Sequence, residues 1–214
     1  MACPKRGHYM GSDPQKHHRR SIRVPGYDYS QPGAYFITMV THKRACLFGE
    51  IVDGEMRLSH YGLVADECWR LIPDHFPNVE LGAFVVMPNH VHGIIILHDR
   101  EGRGTLDNHE TGTPLGRGTP LGRGTPWRAP TTITEKFGKP ISGSLATIVR
   151  QYKSSVTRII GQRFGGISKI WQRNYYEHII RTENEHARIH LYIESNPANW
   201  MNDGQNPQNP PSER

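Results

Sequence analysis

No run in this 214-residue sequence approaches the ~18 consecutive apolar residues of a membrane-spanning helix, and the opening shows no signal-peptide pattern. Cysteine is scarce. Cys3, Cys46 and Cys68 are odd in number and lack the paired spacing of a metal knuckle, which argues against a disulfide scaffold and for a reducing compartment. A soluble, cytoplasmic protein is the expectation. Also missing are a Gly-x-x-x-x-Gly-Lys-Ser/Thr phosphate loop and a dinucleotide fingerprint, so nothing points to the use of nucleotide energy. No Ser or Cys stands in a nucleophile-elbow context. Hydrophobic residues make up only 36%, whereas 22 Gly and 16 Pro exceed ordinary usage. Part of the chain is therefore expected to stay unpacked, leaving one ordinary domain of ~150 residues.

What the chain has in excess is positive charge. Its 26 Lys and Arg against 20 Asp and Glu give a net +6 before any of the 13 histidines is counted. That balance suits an anionic partner, most commonly nucleic acid. Residues 1–32 are polar and basic, Arg19, Arg20 and Arg23 among them, and show neither helical nor strand periodicity. They read as a mostly extended arm, either solvated or laid along phosphates.

Two apolar runs, Phe84–Met87 and Ile94–Leu97, flank a Pro88-Asn89 turn and two histidines one residue apart. The second run is short and β-branched, as a buried strand is. Side chains alternate along a strand. His90 and His92 therefore share one face, roughly 7 Å apart at the backbone, while Val91, Gly93, Ile95 and Leu97 take the other. Two adjacent imidazoles can grip a metal ion or a phosphate. The competing reading is a pair of hydrogen-bonded core or rim histidines.

The remaining elements follow in order. Ala34–Thr41 has the composition of a strand buried on both faces, and 47–58 that of a hairpin turning at Asp53-Gly54. Ser59 offers an N-cap to a helix carrying Tyr61, Val64, Cys68, Leu71 and Ile72, which Pro73 is expected to stop. After the histidine strand, at about 99–140, comes a segment containing Thr113-Pro114-Leu115-Gly116-Arg117-Gly118, repeated at once and begun a third time. A Gly- and Pro-rich period of this kind has no core to bury and reads as a disordered loop insertion. Ser144 opens a helix with Leu145, Ile148, Val149, Tyr152, Val156 and Ile159 on one face and Arg150, Lys153 and Arg158 off it. Trp171–Ile180 reads as a strand. Thr182 and Glu185 form a capping box for a last helix, with Ile189, Tyr192 and Ile193, which Pro197 ends. Residues 201–214 read as a disordered tail. The order strand, helix, strand, strand, helix, strand, helix fits an α+β fold. Its form is a ferredoxin-like antiparallel sheet with two helices on one face and a third free to cross the other.

A histidine pair, a basic surface and 9 tyrosines remain to carry chemistry. Tyrosine can attack a phosphodiester and conserve the linkage energy as phosphotyrosine, given a metal or cations to offset the phosphate charge. At this point three segments matter together: Met87-Pro88-Asn89-His90-Val91-His92-Gly93, Trp171 to Arg181, and Tyr192-Ile193-Glu194-Ser195-Asn196-Pro197. With Arg19 to Tyr29, they resemble the single-tyrosine HUH transposases, in particular the REP-associated tyrosine transposases. The resemblance covers about 19–98 and 141–200, with the repeat tract extra, and implies one transposase domain over 33–200 interrupted by that insertion.

The resemblance implies a ferredoxin-like nuclease acting on single-stranded DNA, often beside a hairpin. His90 and His92 would bind a divalent ion, Mg2+ or Mn2+, and a helix-borne tyrosine would attack the scissile phosphate, leaving a free 3′ hydroxyl. The Asn-Pro motif places that nucleophile at Tyr192; Tyr152 is the rival, set among apolar helical neighbours. Asn196, one helical turn beyond Tyr192, would be a third ligand through its amide oxygen, or else only cap the helix before Pro197. Arg19, Arg20, Arg23, Arg150, Lys153 and Arg158 would contact DNA. Both a homodimer and a monomer are compatible with the family. Two other classes stay open: a metal-dependent histidine phosphoesterase, whose triad would need a third histidine where Ile94 stands, and a domesticated nucleic-acid-binding protein without cleavage activity.

Overall fold

The computed structural model describes residues 27–99, 141–165 and 169–209. Arg19, Arg20, Arg23 and the repeat insertion lie outside the described residues. In chain order the elements are β1 (Gly33–Val40), the hairpin β2 (Gly49–Val52) and β3 (Glu55–Leu58), α1 (His60–Arg70), and α2 (Ile72–His75). There follow β4 (Val79–Met87), β5 (His90–Leu97), α3 (Leu145–Phe164), β6 (Tyr176–Ile180) and α4 (Glu183–Ser195). The main sheet runs β4-β5-β1-β6, antiparallel throughout, with the β2–β3 hairpin separate. Numbered as four strands in chain order and read from the β6 edge, the sheet runs fourth, first, third, second. The ferredoxin-like arrangement expected from the element order is the one formed.

One face of the sheet carries α1 and α3. Tyr35, Ile37 and Met39 of β1 and Val91, Ile95 and Leu97 of β5 meet Val64, Trp69, Ile148 and Tyr152 in the main core. Gly93 is required here, because a Cβ would run into the Trp69 indole. That indole lies flat on Phe84, ring centroids 5.1 Å apart. Tyr152 is buried in this core with its hydroxyl donating to the Ala65 carbonyl at 3.1 Å, which removes it as the rival nucleophile. The other face carries α4 over a much smaller cluster of Phe36, Ile94, Ile180, Ile189 and Ile193. His90 and His92 are on this face.

The helices start where the caps indicate: the side chains of Ser59, Ser144 and Thr182 accept from the amides of Gly62, Thr147 and Glu185. Three local expectations need correction. Pro73 does not stop α1, which ends at Arg70; it sits in the first turn of α2, where its missing N–H costs nothing. The strand expected over Trp171–Ile180 begins only at Tyr176, with Trp171 forming an isolated bridge to Thr41. The Lys153 ammonium takes the carbonyls of Gln172 and Asn174, both at 2.9 Å, and withholds them from a ladder. Residues 201–209, expected to be disordered, are folded. A 3-10 turn (Trp200–Asn202) leads into turns closed by side-chain amides, Asn206 donating to the Trp200 carbonyl and Asn209 to those of Met201 and Asp203. No described helix is long and apolar enough to cross a membrane.

Candidate active site and metal centre

β5 delivers both histidines from its first turn of pleat into the space beneath α4. They are 0% and 3% exposed, and their Nε2 atoms stand 3.0 Å apart. Each outer nitrogen is held. Asn89 donates through Nδ2 to the carbonyls of Arg44 and Gln205, so it is Oδ1 that faces His90 Nδ1 at 2.8 Å. His90 therefore carries its proton on Nδ1 and presents a bare Nε2 lone pair inward. Thr38, opposite His92 in the β1–β5 register, places Oγ1 2.8 Å from His92 Nδ1. Burial keeps both rings neutral: His90 is held well below the usual histidine range, with the neighbouring His92 as a second cause, and His92 is lowered to about 3.

Tyr192 projects from α4 against this pair. Its hydroxyl is 3.2 Å from His92 Nε2 and its ring meets Phe36 edge-on, while the residue stays 46% exposed. Burial and then the charge of Asp203 raise its pKa, and a hydrogen bond from Asn196 acts the other way. Asn196 follows one turn later, 3% exposed. Its side chain interacts with Tyr192 and Asp203. Its Oδ1 has no hydrogen-bond partner among the described residues. The cap is made by the main chain instead, through the Asn196 N–H to the Ile193 carbonyl.

Asp203 was not anticipated from the sequence. It ends the Trp200–Asn202 turn, with Oδ1 accepting from the Gln205 amide at 2.6 Å and Oδ2 lying 3.5 Å from His90 Nε2 without a hydrogen bond. Burial raises its pKa. One ligand atom each from His90, His92 and Asp203 falls within 4.8 Å of the others. Trp200 shields His90 from the same segment, ring centroids 6.0 Å apart. The only sequence signal was an Asp203-Gly204 turn pair in an amide-rich tail, too weak to mark a site. Thr38 was equally hidden, because its place beside His92 depends on a strand register.

The residues fit a divalent ion. Two neighbouring ligands of an octahedral ion with bonds of ~2.1 Å stand ~3 Å apart, and the two Nε2 atoms are 3.0 Å apart. The buried, unsatisfied oxygens of Asp203 and Asn196 supply the hard donors that Mg2+ or Mn2+ prefers. Buried polar atoms without partners are costly, and an ion would satisfy several at once.

The anticipated cations are not brought to this pair. Arg150, Lys153 and Arg158 all belong to α3, across the sheet. Arg150 is exposed, Arg158 donates to Gln162 at 3.1 Å, and Lys153 is spent on the carbonyls of Gln172 and Asn174. Arg44 is the cation that does arrive, from a tight turn in which Lys43 and Arg44 both adopt φ of 55°. With His92, Tyr192 and Asp203 it borders a cavity of about 640 Å³.

The fold is similar to that of one solved tyrosine transposase. A solved REP-associated tyrosine transposase, seen bound to a REP hairpin, superposes with a TM-score of 0.50 at 18% identity, covering 85% of this chain and 74% of its own. No protein-family model matches the sequence. An uncharacterized protein of Haemophilus influenzae is 39% identical over 188 residues, 87% of this chain and 92% of that protein. The chain belongs to the same family as that protein.

Proposed function

We propose that the protein is a tyrosine HUH transposase, a nuclease that cuts and rejoins single-stranded or hairpin-flanked DNA through a covalent phosphotyrosine. The observation that carries this reading is one arrangement. Two buried, neutral imidazoles stand 3.0 Å apart, with a half-exposed tyrosine hydroxyl 3.2 Å from one of them. Tyr192 Oη would form the new bond to phosphorus while the bond to the 3′-side oxygen breaks. The phenol loses its proton, and the departing 3′ oxygen gains one. Phe36 and α4 fix the ring direction, and Asn196 steadies the phenolic oxygen. A divalent ion held by His90, His92 and Asp203, with Asn196 as a further oxygen donor, would supply positive charge to the phosphate when bound. DNA as substrate also accords with the net +6 charge, and such an enzyme would act in the cytoplasm.

The test uses a hairpin oligonucleotide with randomised single-stranded flanks, incubated with the protein and Mn2+. An SDS-resistant protein–DNA adduct should form and map by mass spectrometry to Tyr192, and Tyr192→Phe should bind the oligonucleotide without forming it. An adduct that survives Tyr192→Phe would give the nucleophile's role to another residue.

A further inference from the structure

The 640 Å³ cavity beside Tyr192 is larger than a phosphate and an ion need, and its far side has a different chemistry from its catalytic end. Phe36 stacks on His92 at 5.4 Å and meets Tyr176 edge-on at 6.2 Å, so an aromatic wall runs from the nucleophile outward. Tyr176 is 39% exposed on the edge strand β6. Gln172 and Asn174 border the same cavity. Among the described residues their side-chain amides make no hydrogen bond, whereas their carbonyls both receive the Lys153 ammonium.

Lys153 is itself fixed. It is pressed over the Trp171 ring at 5.7 Å, and the Trp171 indole N–H donates to its carbonyl at 3.2 Å. Burial lowers its pKa to about 8. An irregular segment has thus been pinned by its main chain at both carbonyls, leaving two amide side chains at the rim of a cleft. Arg44 stands on the same cleft as a phosphate-sized charge.

We infer that this cleft is a base-reading subsite. One unstacked nucleobase adjoining the cleaved phosphate stacks on Tyr176, and the amides of Gln172 and Asn174 read its edge. Aromatic faces hold any base, while Asn and Gln amides pair bidentately with adenine, so adenine is the favoured occupant. Lys153 acts as a positioning residue that sets the amides and does not touch the DNA. This inference rests on the single-stranded DNA reading above.

The experiment measures fluorescence anisotropy of 5′-labelled dA12, dC12 and dT12 with the Tyr192→Phe protein, which forms no adduct, with a 12-base-pair duplex as control. The expected result is about tenfold tighter binding of dA12 than of dT12. In the Gln172→Ala/Asn174→Ala variant that ratio should fall to about one. Tyr176→Ala should weaken all three strands about tenfold. Lys153→Met should lower the dA12 to dT12 ratio without removing single-strand binding. Equal affinity for the three strands, together with wild-type affinity in Tyr176→Ala, would overturn the subsite while leaving the nuclease reading intact. Single strands bound no better than the duplex would overturn both.

Discussion

The two faces of the central sheet differ in what they bury. Beneath α1 and α3 lies a large, mainly apolar core in which Gly93 makes room for Trp69 and Tyr152 finds an acceptor, with one buried carboxylate, Glu177, entering from β6 opposite Ile37. Beneath α4 lie five buried apolar side chains and, beside them, His90, His92, Asn196 and Asp203, with two buried oxygens unsatisfied. Desolvating such groups is unfavourable unless something completes them. The first face stabilises the fold; the second spends part of that stability on a site that can take up a cation and a phosphate. The difference teaches that exposure, burial and polarity have to be read together. A buried histidine pair looks like core by burial alone, and like a ligand set once its tautomers and neighbours are traced.

If that division is real, substitutions on the two faces should separate stability from chemistry. Trp69→Ala should cost ~3–5 kcal/mol in denaturant unfolding, a large share of the ~5–15 kcal/mol available to a domain. Tyr192→Phe should change stability by less than ~0.5 kcal/mol while abolishing the adduct. A Trp69→Ala protein as stable as the wild type would break the comparison.

Acid should act through the α4 face. His90 and His92 are depressed by burial, so the folded state favours their neutral forms. Their contribution is full above the unfolded histidine pKa of about 6.5 and is lost as pH falls toward about 3. Asp203, raised by burial, works in the opposite sense but only in the carboxylate range. Thermal unfolding between pH 7.5 and 5 should therefore show Tm falling with pH, and the slope should flatten in His90→Gln/His92→Gln. An unchanged slope would place the titration elsewhere.

The smallest effect is expected on α3. Arg150 is exposed on the face away from Tyr192, so Arg150→Gln should alter single-stranded DNA binding less than twofold, whereas Arg44→Gln should weaken it severalfold and reduce its salt dependence. Equal losses from both would extend the DNA path around the sheet edge.

How much of this was legible in the sequence follows from how local each signal is. The strand alternation that put His90 and His92 together, the caps at Ser59, Ser144 and Thr182, and the four-residue step from Tyr192 to Asn196 are short-range, and all formed as read. Features that depend on distant partners were invisible. Trp171 to Tyr175 has strand composition, but Lys153, 19 residues earlier than Gln172, diverts its carbonyls. Asp203 sits in a polar tail whose folding depends on contacts such as the Asn89 amide on the Gln205 carbonyl, 116 residues away. Periodicity put Arg150, Lys153 and Arg158 off the apolar face of α3, and Arg150 and Arg158 are exposed while Lys153 is drawn in against Trp171; periodicity cannot tell which side of the sheet a helix will cover.

The central claim is that the α4 face holds a divalent ion between its histidines, and Mn2+ titration by calorimetry tests it without any knowledge of the DNA target. The account predicts one ion per chain for the wild type, at least tenfold weaker binding for Asp203→Asn, a smaller loss for Asn196→Ala, and no measurable site in a folded His90→Ala/His92→Ala protein. Wild-type Mn2+ affinity in that double variant would contradict it.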